Sequence, residues 1–221
     1  MNRRTVLAAL KEVRGLILVA AIIFPFRSSI ADWNDVPTGS MVPTIVEGDR
    51  IAVNKLAYDL KIPFTATRLA TWDDPRRGDI VVLYSPVDGT RLVKRVIGVP
   101  GDVLALRANR LWLNGAPVAY EVGGWTPDSA ALAATEWLDG RPHAVQWQPN
   151  WHGAPRTVSP LKLPPGHYFV MGDNRDNSRD SRSFGLVPRD QIIGRAFAVA
   201  LSFAPARGYA PRWERFFTAL N

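Results

Sequence analysis

The chain has 221 residues, carries 27 Lys and Arg against 20 Asp and Glu for a net charge of +7, and contains no cysteine. The absence of cysteine excludes thiol catalysis, disulfides and Cys-based metal sites. The excess charge lies at the two ends, +4 in residues 1–27 and +3 in residues 195–221, and the middle is neutral. A nucleic-acid-binding domain would carry its excess on the folded body, so no nucleic-acid partner is expected.

An apolar segment follows the basic N-terminus. Residues 15–26 carry no charged side chain, and extension to residues 13–31 gives nineteen positions, about 28 Å at about 1.5 Å per helical residue. Basic side chains precede this span and acidic ones follow it, which predicts a cytoplasmic N-terminus by the positive-inside rule. We therefore expect a single-pass membrane anchor within residues 1–31, with membrane lipid as a partner. A cleavable secretory signal ending at Ala31 fits the same residues.

Ser40 lies in residues 37–44 (PTGSMVPT), just beyond this span. Prolines near both ends favour extended or turn geometry and an exposed side chain. A serine hydroxyl becomes a nucleophile only when a neighbouring base takes its proton. None of His143, His152 and His167 belongs to a motif with an acidic partner, although a triad can be assembled from distant residues. A lysine whose pKa is lowered by burial is the other candidate base.

Lys94 is the best-placed lysine for this task. Residues 91–99 are rich in β-branched side chains and lead into a Pro-Gly-Asp turn, so they predict a strand. At period two, Lys94 lies between Leu92 and Val96 on one face, and Arg95 lies on the other. Because arginine keeps its proton in proteins, only Lys94 of these two cations could serve as the base. An arbitrary strand lysine more often lays its stem on apolar surface with its amine in water.

Three Gly-Asp pairs, at residues 48–49, 78–79 and 101–102, predict turns that lead into strands. No long helical period separates them, so a β core is expected, with residues 32–102 and 167–208 as its two parts. Residues 103–166 differ, because five of the eight tryptophans and several loop signals lie there. This segment predicts a smaller, β-rich inserted subdomain without catalytic residues.

Residues 172–185 (GDNRDNSRDSRSFG) alternate three aspartates and three arginines with turn-forming residues. Such a loop can neutralise itself through ion pairs and be rigid. It does not predict a calcium site, because Arg175 stands at the third ligand position of an EF-hand. The scattered histidines and the lack of a phosphate-binding glycine loop lead us to expect no metal and no cofactor.

Residues 209–221 predict a short amphipathic helix after Pro211. The apolar side chains that recur at helical spacing beside basic residues are Trp213, Phe216, Phe217 and Leu220. Such a helix either packs on the protein core or inserts into an anionic membrane surface.

Three segments resemble, in the same order, the successive sequence boxes of type I signal peptidases: GSMVPT around Ser40, KRVIGVPGD from Lys94, and residues 172–185. RRGDIVV at residues 76–82 fits a further box, and the resemblance covers nearly the whole chain. It implies a mainly β fold with an antiparallel β-sheet catalytic core, an inserted smaller β-rich subdomain and one N-terminal transmembrane helix. The implied protein is a bacterial inner-membrane serine endopeptidase whose catalytic domain faces the periplasm.

The resemblance also implies residue roles. Ser40 is the expected nucleophile, Lys94 the general base, and Ser178 the residue that orients the lysine through a hydrogen bond. The expected oxyanion hole combines the Thr38 hydroxyl with the Ser40 main-chain N–H. The residues expected to support the site, the last two as an ion pair, are Asp173, Arg175, Asp180 and Arg182.

The implied substrates are exported preproteins, cleaved after small residues at the first and third positions before the scissile bond. Ordinary core packing is as frequent as substrate contact for apolar residues of this kind. The residues expected to line the pocket are Val36, Pro37, Met41, Ile45, Leu92 and Val93.

Three other classes share parts of this pattern. A conjugation-type maturation peptidase has the same dyad but one dedicated substrate, and the full final box favours the general enzyme. A self-cleaving Ser/Lys regulator would need a DNA-binding helix-turn-helix where this chain has its apolar span. A non-catalytic exported binding protein would leave the three boxes unexplained.

Overall fold

The computed structural model describes residues 13–15, 17–19, 21, 23–24, 27–65, 67–126, 130–148 and 153–220. The described positions from 13 to 29 are helical. No helix among the described residues is both long and apolar enough to cross a membrane. The anchor expected within residues 1–31 lies partly outside the described residues and stays a prediction.

The rest of the described chain is mainly β, as expected. The first strands in chain order are β1 (Ala31–Asp35), β2 (Asp49–Asn54), β3 (Asp59–Lys61), β4 (Arg68–Thr71), β5 (Ile80–Tyr84), β6 (Arg91–Gly98), β7 (Val103–Arg107), β8 (Arg110–Leu113) and β9 (Ala116–Pro117). They are followed by β10 (Ala119–Thr126), β11 (Ala131–Leu138), β12 (Arg141–Trp147), β13 (Val158–Lys162), β14 (His167–Met171), the short helix α1 (Ser181–Phe184), β15 (Val187–Pro188), β16 (Ile192–Ala204), β17 (Ala210–Pro211) and β18 (Thr218–Ala219).

The main sheet is antiparallel and has the strand order β1-β2-β16-β5-β6-β14-β15, with β17 and β18 also paired to β16. β3 and β4 form a separate two-stranded pair. The predicted Gly-Asp turns are confirmed, since Gly48, Gly78 and Gly101 have positive φ values and each precedes a strand, β2, β5 or β7.

The main sheet buries both of its faces. Ile80 and Val82 of β5 pack in one hydrophobic cluster, whereas Val81 and Leu83 pack in a second one. This alternation is the strand period expressed in a sheet that is covered on both sides. The first cluster also contains Met41, so the connection between β1 and β2 is anchored on the sheet.

Residues 103–166 contain two further sheets, one formed by β10-β11-β12 and one by β13-β7-β8-β9. A third cluster combines Leu104 and Leu111 of this segment with Ile97 and Met171 of the main sheet. The segment therefore has its own sheets but shares a hydrophobic core with the main sheet.

The prediction of an amphipathic helix at residues 209–221 is wrong. The segment forms β17, a 3-10 turn (Trp213–Arg215) and β18, and both strands pair with β16. The long edge of β16 offers main-chain groups whose pairing outweighs a marginal short helix. Phe217 has a φ of 58°, which a helix does not allow. Trp213 and Phe217, whose aromatic side chains are exposed, thus do not belong to a helical face.

Candidate active site

Ser40 lies at the centre of a 3-10 turn (Gly39–Met41) in the connection between β1 and β2. The chain is extended at Thr38, with φ −133° and ψ 152°, and extended again at Val42. Met41 is fully buried and fixes the turn to the core, while Ser40 stays partly exposed. The turn therefore holds the Ser40 hydroxyl where a substrate can reach it.

Lys94, on β6, supplies the partner of this hydroxyl. Its Nζ lies 2.7 Å from Ser40 Oγ and donates to the Val93 carbonyl at 3.0 Å. Lys94 is 2% exposed, and burial lowers its pKa to about 8, although the negative charges of Asp180 and Asp173 act in the opposite direction. The amine is thus more easily deprotonated than that of an exposed lysine.

The charged loop packs directly on the main chain of the Ser40 turn. The Asn174 main-chain N–H donates to the Ser40 carbonyl at 3.1 Å, and Asn174 Nδ2 donates to the Gly39 carbonyl at 3.0 Å. Gly172 leaves no room for a side chain, because a Cβ there would lie under 3.0 Å from the Ser40 carbonyl and from Ser178. The loop therefore sets the position of the turn through main-chain contacts.

Asp173 ties the loop to the strand that carries Lys94. Its carboxylate accepts hydrogen bonds from Arg95 Nε and Nη2, both at 2.9 Å, and from Thr44 Oγ1 at 2.6 Å. Burial raises the pKa of Asp173, but the charge and hydrogen bonds of Arg95 outweigh burial and leave this pKa below its ordinary value. The pair links β6, the loop and the chain just after Ser40.

Asp180 and Arg182 form an ion pair, with distances of 2.8 Å and 2.7 Å between the guanidinium and the carboxylate, and both side chains are fully buried. Asp180 also caps α1 by accepting from the Arg182 main-chain N–H, and it accepts from the Gly172 N–H at 3.0 Å. One carboxylate thus satisfies a helix end, an arginine and the start of the loop.

Arg175 does not find its partner within the loop. It makes a bidentate pair with Glu136 of β11, at 2.7 Å and 2.6 Å, and both side chains are fully buried. The expectation that the loop neutralises itself therefore holds for Asp180 and Arg182, whereas Asp173 and Arg175 pair with residues elsewhere in the chain.

The predicted hydrogen bond between Ser178 and Lys94 is not formed. Ser178 Oγ is buried beside Gly172, and its hydroxyl is one of the groups that lower the pKa of the neighbouring Asp180 carboxyl. The Nζ of Lys94 is directed instead to Ser40 and to the Val93 carbonyl. Ser178 lies in the region of the dyad, and its orienting role stays a prediction.

Thr38 is exposed, and its side chain makes no capping hydrogen bond to the Ser40 turn. Its hydroxyl is therefore available to a ligand. Among the six residues expected in the pocket, Met41 and Ile45 have 0% exposure and pack in the first cluster. They belong to the core rather than to an open wall. Val36 is only 5% exposed and packs in the same cluster, so the residues of the set that retain exposed surface are Pro37, Leu92 and Val93.

The described histidines do not join the site. His167 Nδ1 faces the Pro165 carbonyl, and His143 lies beside Glu136. His152 lies outside the described residues. No group of three or more His, Cys, Asp or Glu in the described chain could hold a metal ion.

Three residues of this region have no role in the sequence-based assignment: Arg95, Asn174 and Glu136. Arg95 carried a signal, because a charge on a strand buried on both faces needs a partner. Asn174 could not be separated from the other turn-forming residues around it. Glu136 is the one charged residue of β11, and its partner is 39 positions away.

A serine hydroxyl in contact with the amine of a buried lysine is the arrangement of a serine hydrolase in which lysine, and not histidine, serves as the base.

Comparisons with known proteins narrow this class. The family described as signal peptidase, peptidase S26, matches residues 10–201. The signal peptidase I of Pseudomonas fluorescens is 36% identical over 212 residues, which cover 89% of this chain and 74% of the relative. That of Pseudomonas aeruginosa is 35% identical over 215 residues with the same coverage. A crystal structure of a signal peptidase I from Enterococcus faecalis, 27% identical with a TM-score of 0.36, covers 57% of this chain and 98% of its own. By the family match and the two Pseudomonas relatives, the chain belongs to the signal peptidase family, peptidase S26.

Proposed function

We propose that this chain removes N-terminal signal peptides from exported preproteins, with Ser40 as the nucleophile and Lys94 as the general base. The observation that carries the assignment is the 2.7 Å contact between Lys94 Nζ and Ser40 Oγ, made by an amine that is 2% exposed. The family and its Pseudomonas relatives named signal peptidase I support the substrate class.

The reaction needs Lys94 as a neutral amine. In the protonated state Lys94 donates to Ser40 Oγ; after deprotonation the same contact lets the hydroxyl donate to the amine lone pair. Lys94 then takes the proton as Oγ attacks the scissile carbonyl carbon, and it returns the proton to the leaving amine when the peptide bond breaks. Water, activated by Lys94 in the same way, hydrolyses the acyl-enzyme and frees Ser40.

The developing oxyanion is stabilised by the Ser40 main-chain N–H and the Thr38 hydroxyl. Support for Thr38 comes from its position at the entry of the Ser40 turn, with an extended backbone and no capping hydrogen bond that would occupy its side chain. Donors fixed before the reaction stabilise the transition state without having to reorganise.

Selection for small side chains next to the cleaved bond is assigned to Pro37, Leu92 and Val93, with the edge of Val36. Pro37, Leu92 and Val93 retain exposed surface and lie within three positions of Ser40 or Lys94 in the chain, whereas Val36 is 5% exposed. Met41 and Ile45 form the packed floor beneath the turn.

The catalytic domain is held at the bacterial inner membrane by the N-terminal segment, with the N-terminus in the cytoplasm and the domain on the periplasmic side. Support comes from the charge asymmetry and from the junction after the apolar segment. Lys55 Nζ donates to the Arg27 carbonyl at 2.6 Å and to the Ser28 carbonyl at 3.2 Å, and Asp32 pairs with Arg27 at 2.6 Å. These contacts tie the end of the segment to the folded domain.

Cleavage of a model preprotein by the purified full-length chain tests the assignment. We expect Ser40→Ala and Lys94→Ala to abolish cleavage, whereas Lys162→Ala, which removes an exposed lysine, leaves the rate unchanged. Near wild-type activity of either Ser40→Ala or Lys94→Ala would show that the dyad is assigned wrongly. Cleavage of several unrelated preproteins distinguishes a general enzyme from a maturation peptidase with one substrate.

A further inference from the structure

The inserted sheet carries a buried charged cluster centred on Glu136. The Glu136 carboxylate accepts hydrogen bonds from Arg175 Nη2 at 2.6 Å and Nη1 at 2.7 Å, contacts the Tyr120 hydroxyl, and lies 3.2 Å from His143 Nε2. Burial raises the pKa of Glu136, but the positive charge of Arg175 outweighs burial and keeps this pKa far below its ordinary value. The Glu136–Arg175 pair therefore stays charged throughout the working pH range.

The same sheet also forms hydrogen bonds with the main chain of the charged loop (residues 172–185). On β12, the Gln146 N–H donates to the Asp173 carbonyl at 3.0 Å, and the Gln146 carbonyl accepts from the Arg175 N–H at 2.9 Å. Gln146 and Asn174 thereby form a parallel β-bridge. Residues 173–175 are thus held by main-chain bonds to β12 and by the side-chain pair to β11.

Asn174, at the centre of this segment, bonds to the carbonyls of Ser40 and Gly39 at 3.1 Å and 3.0 Å. A contiguous path therefore runs from Glu136 to Arg175 by hydrogen bonds, from Arg175 to Asn174 along the main chain, and from Asn174 to the Ser40 turn by hydrogen bonds. Because interiors are close-packed, a shift at its start is transmitted to its end rather than absorbed.

We infer that Glu136 is a positioning residue, which acts through Arg175 and Asn174 to fix the Ser40 turn against Lys94. The inference rests on the proposed role of Ser40 as the nucleophile. The inserted sheet, which is predicted to hold no catalytic residue, would then contribute to the reaction indirectly. Its strands β11 and β12 hold the charged loop in the position that places Ser40.

Full-length Glu136→Asp tests the inference, because it keeps the negative charge but withdraws the carboxylate from Arg175. A displacement of about 1 Å at the nucleophile costs about 100-fold in rate. We therefore expect kcat to fall by about 10- to 100-fold while KM stays within about twofold, since the pocket residues lie on other elements. Glu121→Gln is the matched control: Glu121 is exposed on β10 of the same sheet, and both constants should stay at wild-type values.

Circular dichroism and thermal melting of each variant, with assays well below the melting temperature, separate positioning from folding. Wild-type kcat in folded Glu136→Asp would overturn the inference, even if the melting temperature fell. Failure of this variant to fold would also overturn it, because the pair would then serve the fold and not the placement of Ser40. Ser40→Ala run in parallel tests the proposed function alone: an inactive Ser40→Ala beside a fully active Glu136→Asp would refute only the positioning role.

Discussion

Lys94 and Arg95 are neighbours on β6 and both are almost fully buried, yet their side chains have different partners. Arg95 meets Asp173 in a bidentate pair. Lys94 forms no ion pair among the described residues, and its amine faces a hydroxyl and a carbonyl. Burial without a paired carboxylate is what makes a lysine usable as a base.

The rate of cleavage should rise with pH around a midpoint near 8, because only neutral Lys94 accepts the Ser40 proton and its pKa is about 8. The measurement is kcat/KM against pH for the free enzyme. A midpoint near ~10.4, the value of an exposed lysine, would contradict the assignment. Lys162→Ala should leave the midpoint where it is.

The same pKa has a consequence for stability. Because the folded-state pKa of Lys94 lies below the unfolded-state value, the unfolded chain binds more protons between about pH 8 and ~10.4. The contribution of Lys94 to the free energy of unfolding should therefore rise with pH across this window. Urea unfolding of the wild type against Lys94→Met measures it, since the variant lacks the titrating amine; an identical pH slope in both would refute it.

Thr38→Val should lower kcat by roughly 100- to 1,000-fold, the usual effect of removing one oxyanion donor. The melting temperature should not change, because Thr38 is exposed and makes no capping bond. Thr38→Ser retains the hydroxyl and serves as the control, with kcat close to that of the wild type. Equal activity of Thr38→Val and Thr38→Ser would remove Thr38 from the oxyanion hole.

At the scale of elements, the charged loop depends on the cap and ion pair made by Asp180. Asp180→Asn leaves Arg182 as a buried, uncompensated charge. The free energy of unfolding measured in urea should therefore fall by about 3 to 5 kcal/mol. Asp88→Asn is the control, because it breaks the exposed pair of Asp88 with Arg179 and should leave the urea midpoint in place. Equal midpoints for Asp180→Asn and wild type would contradict the structural role of the pair.

Elements were predictable where a local signal was sufficient. The strand around Lys94 and the turns before β2, β5 and β7 follow from β-branched residues and from glycines that adopt positive φ. The C-terminal helix was not predicted correctly, because helical spacing of apolar residues does not reveal that β16 offers an unpaired edge. Arg215, one of the basic residues of this segment, bonds to Asp49 at 2.6 Å.

Within the site, the sequence predicts a pair of contacting residues more readily when the two lie close together along the chain. Ser40 and Lys94, whose side chains are in contact, each lie in a segment with a local sequence signal, and their catalytic roles stay a prediction. The ion pair of Asp180 with Arg182 spans two positions and was also expected. The pairs of Arg175 with Glu136 and of Asp173 with Arg95 span 39 and 78 positions, so only the folded chain identifies the partners.

At the scale of the whole molecule, the folded domain keeps large aromatic side chains on its surface. Trp213 is 71% exposed and Phe217 is 78% exposed, although both lie between β17 and β18, which pair with β16. Exposed aromatic residues beside basic ones are typical of surfaces that enter the lipid headgroup region. Membrane contact at this end of the chain is therefore still expected, although the segment is not helical.

Trp213→Ala combined with Phe217→Ala should weaken the binding of residues 27–221, which keep β1 and the Lys55 contacts, to anionic vesicles by at least about tenfold, because burial of each aromatic side chain contributes about 1.5 to 3 kcal/mol. Deletion of residues 209–221 is the poorer test, since it also removes β18 and the Arg215–Asp49 pair. Trp125→Ala is the matched control: Trp125 is exposed on β10, and its loss should not change vesicle binding. Equal binding of the double variant and the control would place the membrane contact elsewhere and leave the N-terminal segment as the attachment to the bilayer.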